Sequence, residues 1–348
     1  MPIRFHCREL LNRERGLTFD DVLIVPSKSD IRSRRAPLLE SQITKKRRIQ
    51  IPIISANMDT VTESEMAIAI GQMGGLGIVH RFIPIEIQVS EVKKIVQAGL
   101  ENVSASIGIN EDYKDRAKAL VDAGVNILTI DIAHGHSVGM IETIKYLKDT
   151  FPTVEVIAGN VATPEGTFDL IKAGADAVKV GIGPGSMCTT RLITGCGVPQ
   201  LTAIAMCREV AEEYQVPLIA DGGIKSSGDI VKAFAAGASS VMLGSLLAGT
   251  IETPGEIKKG HKQYRGMASK SAQVSWRGEV PEGMAPEGES SLVPCKGHVK
   301  DVLQELCGGI RSGMSYVNAS TVSDIRTNTF FIEMTATGLH ESRAHGLI

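Results

Sequence analysis

The chain has 348 residues, 43% of them hydrophobic, with 36 glycines and a formal net charge of −2. That is ample apolar material for a sizeable core, and the near-balanced charge excludes a nucleic-acid binder driven by a general positive excess. No apolar run reaches the roughly 18 residues of a membrane span and the N-terminus has no signal-peptide core, so the expectation is a soluble enzyme of the cytoplasm.

Taken in chain order, the first feature is the basic run Lys45-Lys46-Arg47-Arg48, short and isolated, which reads as a solvated loop. Apolar, β-branched runs then predict strands over 51–56, 76–80, 103–109, 127–131, 154–158, 177–181, 217–221 and 240–244. Between them a grammar recurs. Ala119-Leu-Val-Asp-Ala-Gly124, Leu170-Ile-Lys-Ala-Gly174 and Val231-Lys-Ala-Phe-Ala-Ala-Gly237 each end a helical pattern on a glycine and lead into a strand. Eight βα units favour a closed (β/α)8 TIM barrel occupying the whole chain, 1–348, as a single domain. An open doubly wound sheet is the rival, but no GxGxxG opens a helix after the first strand.

In a barrel the segments after the strands carry function. Here they are Ser55-Ala-Asn-Met-Asp-Thr60, Asp131-Ile-Ala-His-Gly-His-Ser137, Ala158-Gly-Asn160, Ala220-Asp-Gly-Gly223 and Leu243-Gly-Ser245. The last two read as glycine turns entering helices, which offer backbone N–H groups to a phosphate, although tight turns alone would also account for the glycines. The pair His134 and His136 supplies too few ligands for a metal and reads as a loop that contacts a cofactor.

The sixth strand is followed by Gly183-Pro-Gly-Ser-Met-Cys188-Thr-Thr-Arg191. A lone thiol on a glycine loop at a strand end suits a covalent nucleophile, whereas a free cysteine is as commonly a small buried apolar residue. The other cysteines, at 7, 196, 207, 295 and 307, have no zinc-like or CxxC spacing and suit a reducing compartment.

These segments, with Leu17-Thr-Phe-Asp-Asp-Val-Leu23, Asn57-Met-Asp-Thr-Val61, Asp221-Gly-Gly-Ile224 and Tyr264-Arg-Gly-Met267, resemble the IMP dehydrogenase and GMP reductase family over nearly the whole chain. The resemblance implies a (β/α)8 barrel, commonly a homotetramer, that binds a purine nucleotide monophosphate, GMP or IMP. It implies Cys188 as the nucleophile at purine C2 and Thr190 as a proton-handling hydroxyl; a helix-start residue is the plainer reading of Thr190. By the same matching, Ser186, Gly223, Gly244, Ser245 and Tyr264 hold the phosphate, Asp221 the ribose, and Gly266, Met267, Ser269 and Gly288 complete the substrate site. Asp131, Ala133, His134 and Gly181 fall to the nicotinamide cofactor, and carbonyls of Gly183, Gly185 and Cys188 to a monovalent cation, potassium.

Residues 267–297 match the family's mobile flap. Dehydrogenases of the family carry an Arg-Tyr pair there to activate water; this flap has none, and its Met267, Ser269 and Ser271 opening with Glu287-Gly288 resembles the reductase, in which the glutamate works with Thr190. The expectation is therefore an NADPH-dependent GMP reductase. The alternatives are an NAD-dependent IMP dehydrogenase without CBS modules and, less in keeping with the thiol, a catalytically silent nucleotide-binding scaffold. Asp131-Ile-Ala-His-Gly-His-Ser137, the lysine-bearing turn after Asp221 and the tail Gly338-Leu-His-Glu-Ser342 look more like bacterial dehydrogenases. Met284 stands where reductases often have arginine; Trp276-Arg277 reads as an exposed flap pair, with replacement of that arginine as the alternative. The stretch 81–102 leaves no room for a CBS insert.

Overall fold

The computed structural model describes residues 4–110 and 112–344. Eight parallel strands close a barrel in simple sequential order: β1 (Ile53–Ser55), β2 (Leu76–Val79), β3 (Ser104–Ile107), β4 (Ile127–Asp131), β5 (Glu155–Val161), β6 (Ala177–Val180), β7 (Leu218–Asp221) and β8 (Ser240–Leu243). The ring closes where β8 pairs with β1, Met242 opposite Ile54. Every residue of β1, β2, β3, β5, β6 and β8 is buried, the continuous apolar run expected of strands covered on both faces.

Outside the ring lie α1 (Ser64–Gln72), α2 (Ile85–Gln97), α3 (Tyr113–Asp122), α4 (Val138–Thr150), α5 (Pro164–Ala173), the short α6 (Thr190–Thr194), α7 (Gln200–Glu213) and α8 (Ser227–Ala236). Their starts are written locally. Ser137, Thr163 and Ser226 accept from backbone N–H groups of the first turns of α4, α5 and α8, and Pro164 opens α5. Their ends are too: Gly174 adopts φ +113° to cap α5, a left-handed conformation costly for other residues. Helix and strand approach closely at Gly77, where a Cβ would stand 2.3 Å from Ala67 Cα of α1.

Several boundaries move. The fifth strand extends through Val161, so Gly159 and Asn160 lie within it, not after it. Gly244-Ser245 opens a series of turns, with Ala248 N–H donating to the Gly244 carbonyl, not the expected helix. The barrel's last covering helix, α10 (Val299–Tyr316), comes only after a ribbon of β9 (His261–Arg265) and β10 (Ser290–Pro294). That ribbon holds the intervening segment, with its helix α9 (Lys270–Arg277), over the C-terminal end of the barrel. Residues 81–102 contain only a loop and α2. Strands Arg4–His6, Phe330–Glu333 and Val22–Val25 form an antiparallel sheet apart from the barrel that the sequence reading did not anticipate.

Candidate active site

A cavity of about 410 Å³ opens at the C-terminal ends of the strands and is roofed by the segment between β9 and β10. At its centre is the loop after β6. Gly183, at φ +80°, lets the chain turn against the Arg191 side chain, whose guanidinium donates to the carbonyls of Ile182 (3.1 Å) and Val198 (2.5 Å) and clamps the loop from behind.

On that loop Cys188 Sγ donates to Thr190 Oγ1 at 3.1 Å, and Thr190 Oγ1 donates to Glu287 Oε2 at 2.7 Å. Thiol, hydroxyl and carboxylate thus form a continuous hydrogen-bonded path, an arrangement able to carry a proton from a thiol to a carboxylate. Thr190 begins α6, but the residue in the cap position is Thr189. Backbone contacts fix the alignment: Cys188 pairs with Gly288, Thr189 N–H donates to the Glu287 carbonyl, and Glu289 N–H donates to that of Met187. The loop after β6 and the roof are therefore stitched together as a short ladder.

Around this path the cavity wall includes Ser186, Asp221, Gly223, Gly244, Ser245, Tyr264, Gly266 and Met267, the expected substrate residues. Tyr264 Oη lies 3.3 Å from Ser186 Oγ, and burial pushes the phenol above its ordinary pKa, so it stays protonated and able to donate. A Cβ on Gly244 would sit 2.8 Å from that hydroxyl, so this corner is open only because the position is glycine. Ser269 and Gly288 are not on the wall. Ser269 caps α9 through Ala272 N–H, and Gly288 pairs with both Cys188 and Ser269. Of the expected cofactor residues, Asp131, Ala133 and Gly181 line the cavity; His134 is exposed outside it, its ring beside that of His136, which bonds Asp169. Gly183 and Gly185 reach the wall, and the Gly185 carbonyl accepts the Cys188 N–H.

Sequence reasoning passed over the residue that joins these halves. Lys179 of β6 is 1% exposed, and its ammonium reaches Asp131 (3.1 Å), Asn160 Oδ1 (2.5 Å) and Asp221 (2.6 Å). Burial alone would lower its pKa, but Asp131 and Asp221 outweigh it and hold the ammonium above its ordinary value. Asn57 donates to the other Asp131 oxygen at 2.6 Å, and Asn160 Nδ2 to Asp221 at 3.0 Å. A lone lysine between Val178 and Val180 was the available signal, since a charge in a buried strand needs partners.

The expectation of an exposed flap pair holds for Arg277, which is exposed, and is corrected for Trp276, which is half-buried. Trp276 packs edge-on against Phe82 from the loop after β2, with ring centroids 5.4 Å apart, and both it and Arg277 line the cavity. Arg81 stacks over Phe82 and Arg277 over Trp276, which brings two guanidinium groups to one mouth. Met284 is on the wall as well.

Fold and site together define a class: a (β/α)8-barrel enzyme whose loop after the sixth strand sets a thiol in hydrogen-bond contact with a hydroxyl and a carboxylate. Within that class the chain belongs to the IMP dehydrogenase/GMP reductase family, whose domain model matches residues 16–345. It is an oxidoreductase family that uses nicotinamide cofactors. Relatives include inosine-5′-monophosphate dehydrogenases of Cryptosporidium parvum, 42% identical over 96% of each chain, and of Borreliella burgdorferi, 41% identical over 95% of this chain and 96% of the other. Among solved structures, a GMP reductase variant from Trypanosoma brucei in complex with guanosine 5′-monophosphate superposes with a TM-score of 0.91 at 32% identity, covering 98% of this chain and all of that one.

Proposed function

We propose that the chain is a GMP reductase that converts GMP to IMP and ammonia with NADPH. The observation that carries this reading is the Cys188–Thr190–Glu287 path, combined with a roof segment that lacks an Arg-Tyr pair. The phosphate rests against Ser186, Gly223, Gly244, Ser245 and Tyr264, Asp221 takes the ribose hydroxyls, and Gly266 and Met267 border the base.

The Cys188 sulfur bonds to purine C2 while its proton passes through the Thr190 hydroxyl toward Glu287. Glu287 and Thr190 then return protons to the exocyclic amine, and the C2–N bond breaks to release ammonia. When bound, the nicotinamide cofactor supplies the hydride that replaces the amine at C2. Cleavage of the C–S bond restores the thiolate. Overall, one GMP, one NADPH and two protons give IMP, NADP⁺ and ammonium.

The donor set fits such a cofactor: Arg81 and Trp276 line the cavity, and each keeps a buried N–H, Nε and Nε1, without a partner, suited to acceptor-rich groups. Asp131, Ala133 and Gly181 with these residues would hold it. The Gly183, Gly185 and Cys188 carbonyls belong to one loop, and Gly185 O, which accepts the Cys188 N–H, keeps a second lone pair for a monovalent cation such as potassium. Closure of the 267–297 flap over a homotetramer's sites belongs to the same reading.

The second reading, an IMP dehydrogenase, is favoured by the names of the relatives that are 36–42% identical. The discriminating experiment follows ammonia and NADPH together on adding GMP. Equal molar release and loss supports the reductase, and NADPH loss without ammonia would refute it.

A further inference from the structure

The Lys179 ammonium has three N–H groups, and the chain uses all of them: on Asp131 Oδ1 at 3.1 Å, Asn160 Oδ1 at 2.5 Å and Asp221 Oδ2 at 2.6 Å. At 1% exposure it has no donor left for a ligand and almost no surface on which to meet one. It acts on the cavity only through the two carboxylates, which line the cavity with side chains 25% and 22% exposed.

Those carboxylates are held differently. Asp131 takes one donor on each oxygen, Lys179 on Oδ1 and Asn57 Nδ2 on Oδ2 at 2.6 Å. Asp221 takes both of its donors on Oδ2, from Lys179 and from Asn160 Nδ2 at 3.0 Å. Its Oδ1 accepts no bond among the described residues and keeps accessible surface. Asn160 is itself locked, because Nδ2 also donates to the Gly181 carbonyl at 2.7 Å while Oδ1 takes the ammonium; a flipped amide would oppose like groups at both ends.

The last torsion of an aspartate is broad, so a half-exposed carboxylate points one oxygen at a ligand only when its neighbours hold the other. We infer that Lys179 is the positioning residue that presents Asp221 Oδ1 to the ribose hydroxyls, and so sets the preference for a ribonucleotide over one lacking the 2′ and 3′ hydroxyls. The hydroxyls are donors, and Oδ1 has lone pairs to accept them. A hydrogen bond to an ionised group contributes about tenfold or more in affinity once it is aimed. Without Lys179 one of the two donors on Oδ2 is lost, Asp221 and Asp131 repel each other, and the carboxylate turns away from the ribose. The ammonium's long-range pull on the phosphate is the same with or without the hydroxyls, so the ratio of the two affinities isolates the positioning effect.

This inference rests on the reading that the cavity takes a purine nucleotide with its ribose on Asp221. Its test is calorimetric binding of GMP and of 2′,3′-dideoxyguanosine 5′-monophosphate to the full chain carrying Cys188→Ala, which blocks the covalent step. Lys179→Met should lower the ratio of the two affinities about tenfold or more, and should change it less than about twofold when Asp221 is already alanine. Asn160→Ala removes the other donor on Oδ2 without stranding a charge, and should lower the ratio about threefold or more, which keeps the test open if Lys179→Met does not fold. Equal weakening of both ligands by Lys179→Met would make the lysine a structural or electrostatic element only, and a fall in the ratio that persists with Asp221→Ala would route it elsewhere; each overturns the inference. A parent that does not distinguish the two ligands, or an Asp221→Ala variant that still does, would overturn the ribose placement and this inference with it. A distinction that Asp221→Ala abolishes and Lys179→Met leaves intact would overturn the inference alone.

Discussion

Lys179→Met should expose how far one buried cation organises the site. The substitution removes an ammonium bonded to Asp131, Asn160 and Asp221 and leaves two carboxylates near one another with asparagine amides as their remaining donors. Removing one member of a buried charge cluster costs about 3–5 kcal/mol. Asp131 and Asp221 have side chains 25% and 22% exposed, so water recovers part of their solvation and about 3 kcal/mol is the working figure. With an unfolding entropy of about 2.1 cal/mol/K per residue, that is a fall of about 4 °C in Tm for a chain of this size. Urea unfolding followed by circular dichroism measures it. Adding Asp221→Asn to Lys179→Met should restore stability, since it removes one stranded charge. The pH dependence carries a sign. Because the folded pKa is raised above 10.5, the lysine's contribution is complete below that pH and is lost as pH rises through the folded value. The gap between parent and variant should stay level from neutral pH to about 10 and narrow only beyond the ordinary lysine pKa. A gap under about 0.5 kcal/mol, or a double variant less stable than Lys179→Met alone, would refute the reasoning, since surface changes alone reach that size.

Thr190→Val severs the contacts to Cys188 and Glu287 while keeping volume, and should lower kcat about 10²- to 10⁴-fold with GMP binding to the free enzyme kept, read by steady-state kinetics and calorimetry. Gly244→Ala places a methyl 2.8 Å from the Tyr264 hydroxyl, so GMP should bind more weakly while guanosine, which lacks the phosphate, shows little change; equal loss for both would detach this corner from the phosphate. Burial pushes Cys207 up to about 12, so at pH 8 it stays a neutral thiol and should resist iodoacetamide, while exposed Cys196 is alkylated, as peptide mass spectrometry would show. Protection of Cys188 by GMP in the same experiment is the expected companion result.

The barrel was legible because its signals are local. A glycine that ends a helix, as at Gly174 and Gly237, and the apolar run that follows it each act within a few residues. Cys188 was legible through its loop, and Thr190 and Glu287 only through family resemblance: they are 97 positions apart, and nothing local says that a roof residue will meet α6. Lys179 was hidden for a related reason. Its partners come from three other strands, and strand alternation reports which way a side chain points but not what awaits it. Trp276 looked like a loop residue because the flap is rich in glycine, proline and charge. Its true signal was helical spacing, since Gln273 and Trp276 share one face of α9, and that face becomes meaningful only when Phe82 is known to lie beneath it.

The most direct test follows absorbance at 340 nm with the purified protein and potassium present, in parallel mixtures of GMP with NADPH and of IMP with NAD. A GMP reductase gives a fall in the first and no change in the second, with the fall abolished by Cys188→Ala. A rise in the second mixture with a flat first trace would contradict the reductase reading and make the chain a dehydrogenase that activates water without an Arg-Tyr pair.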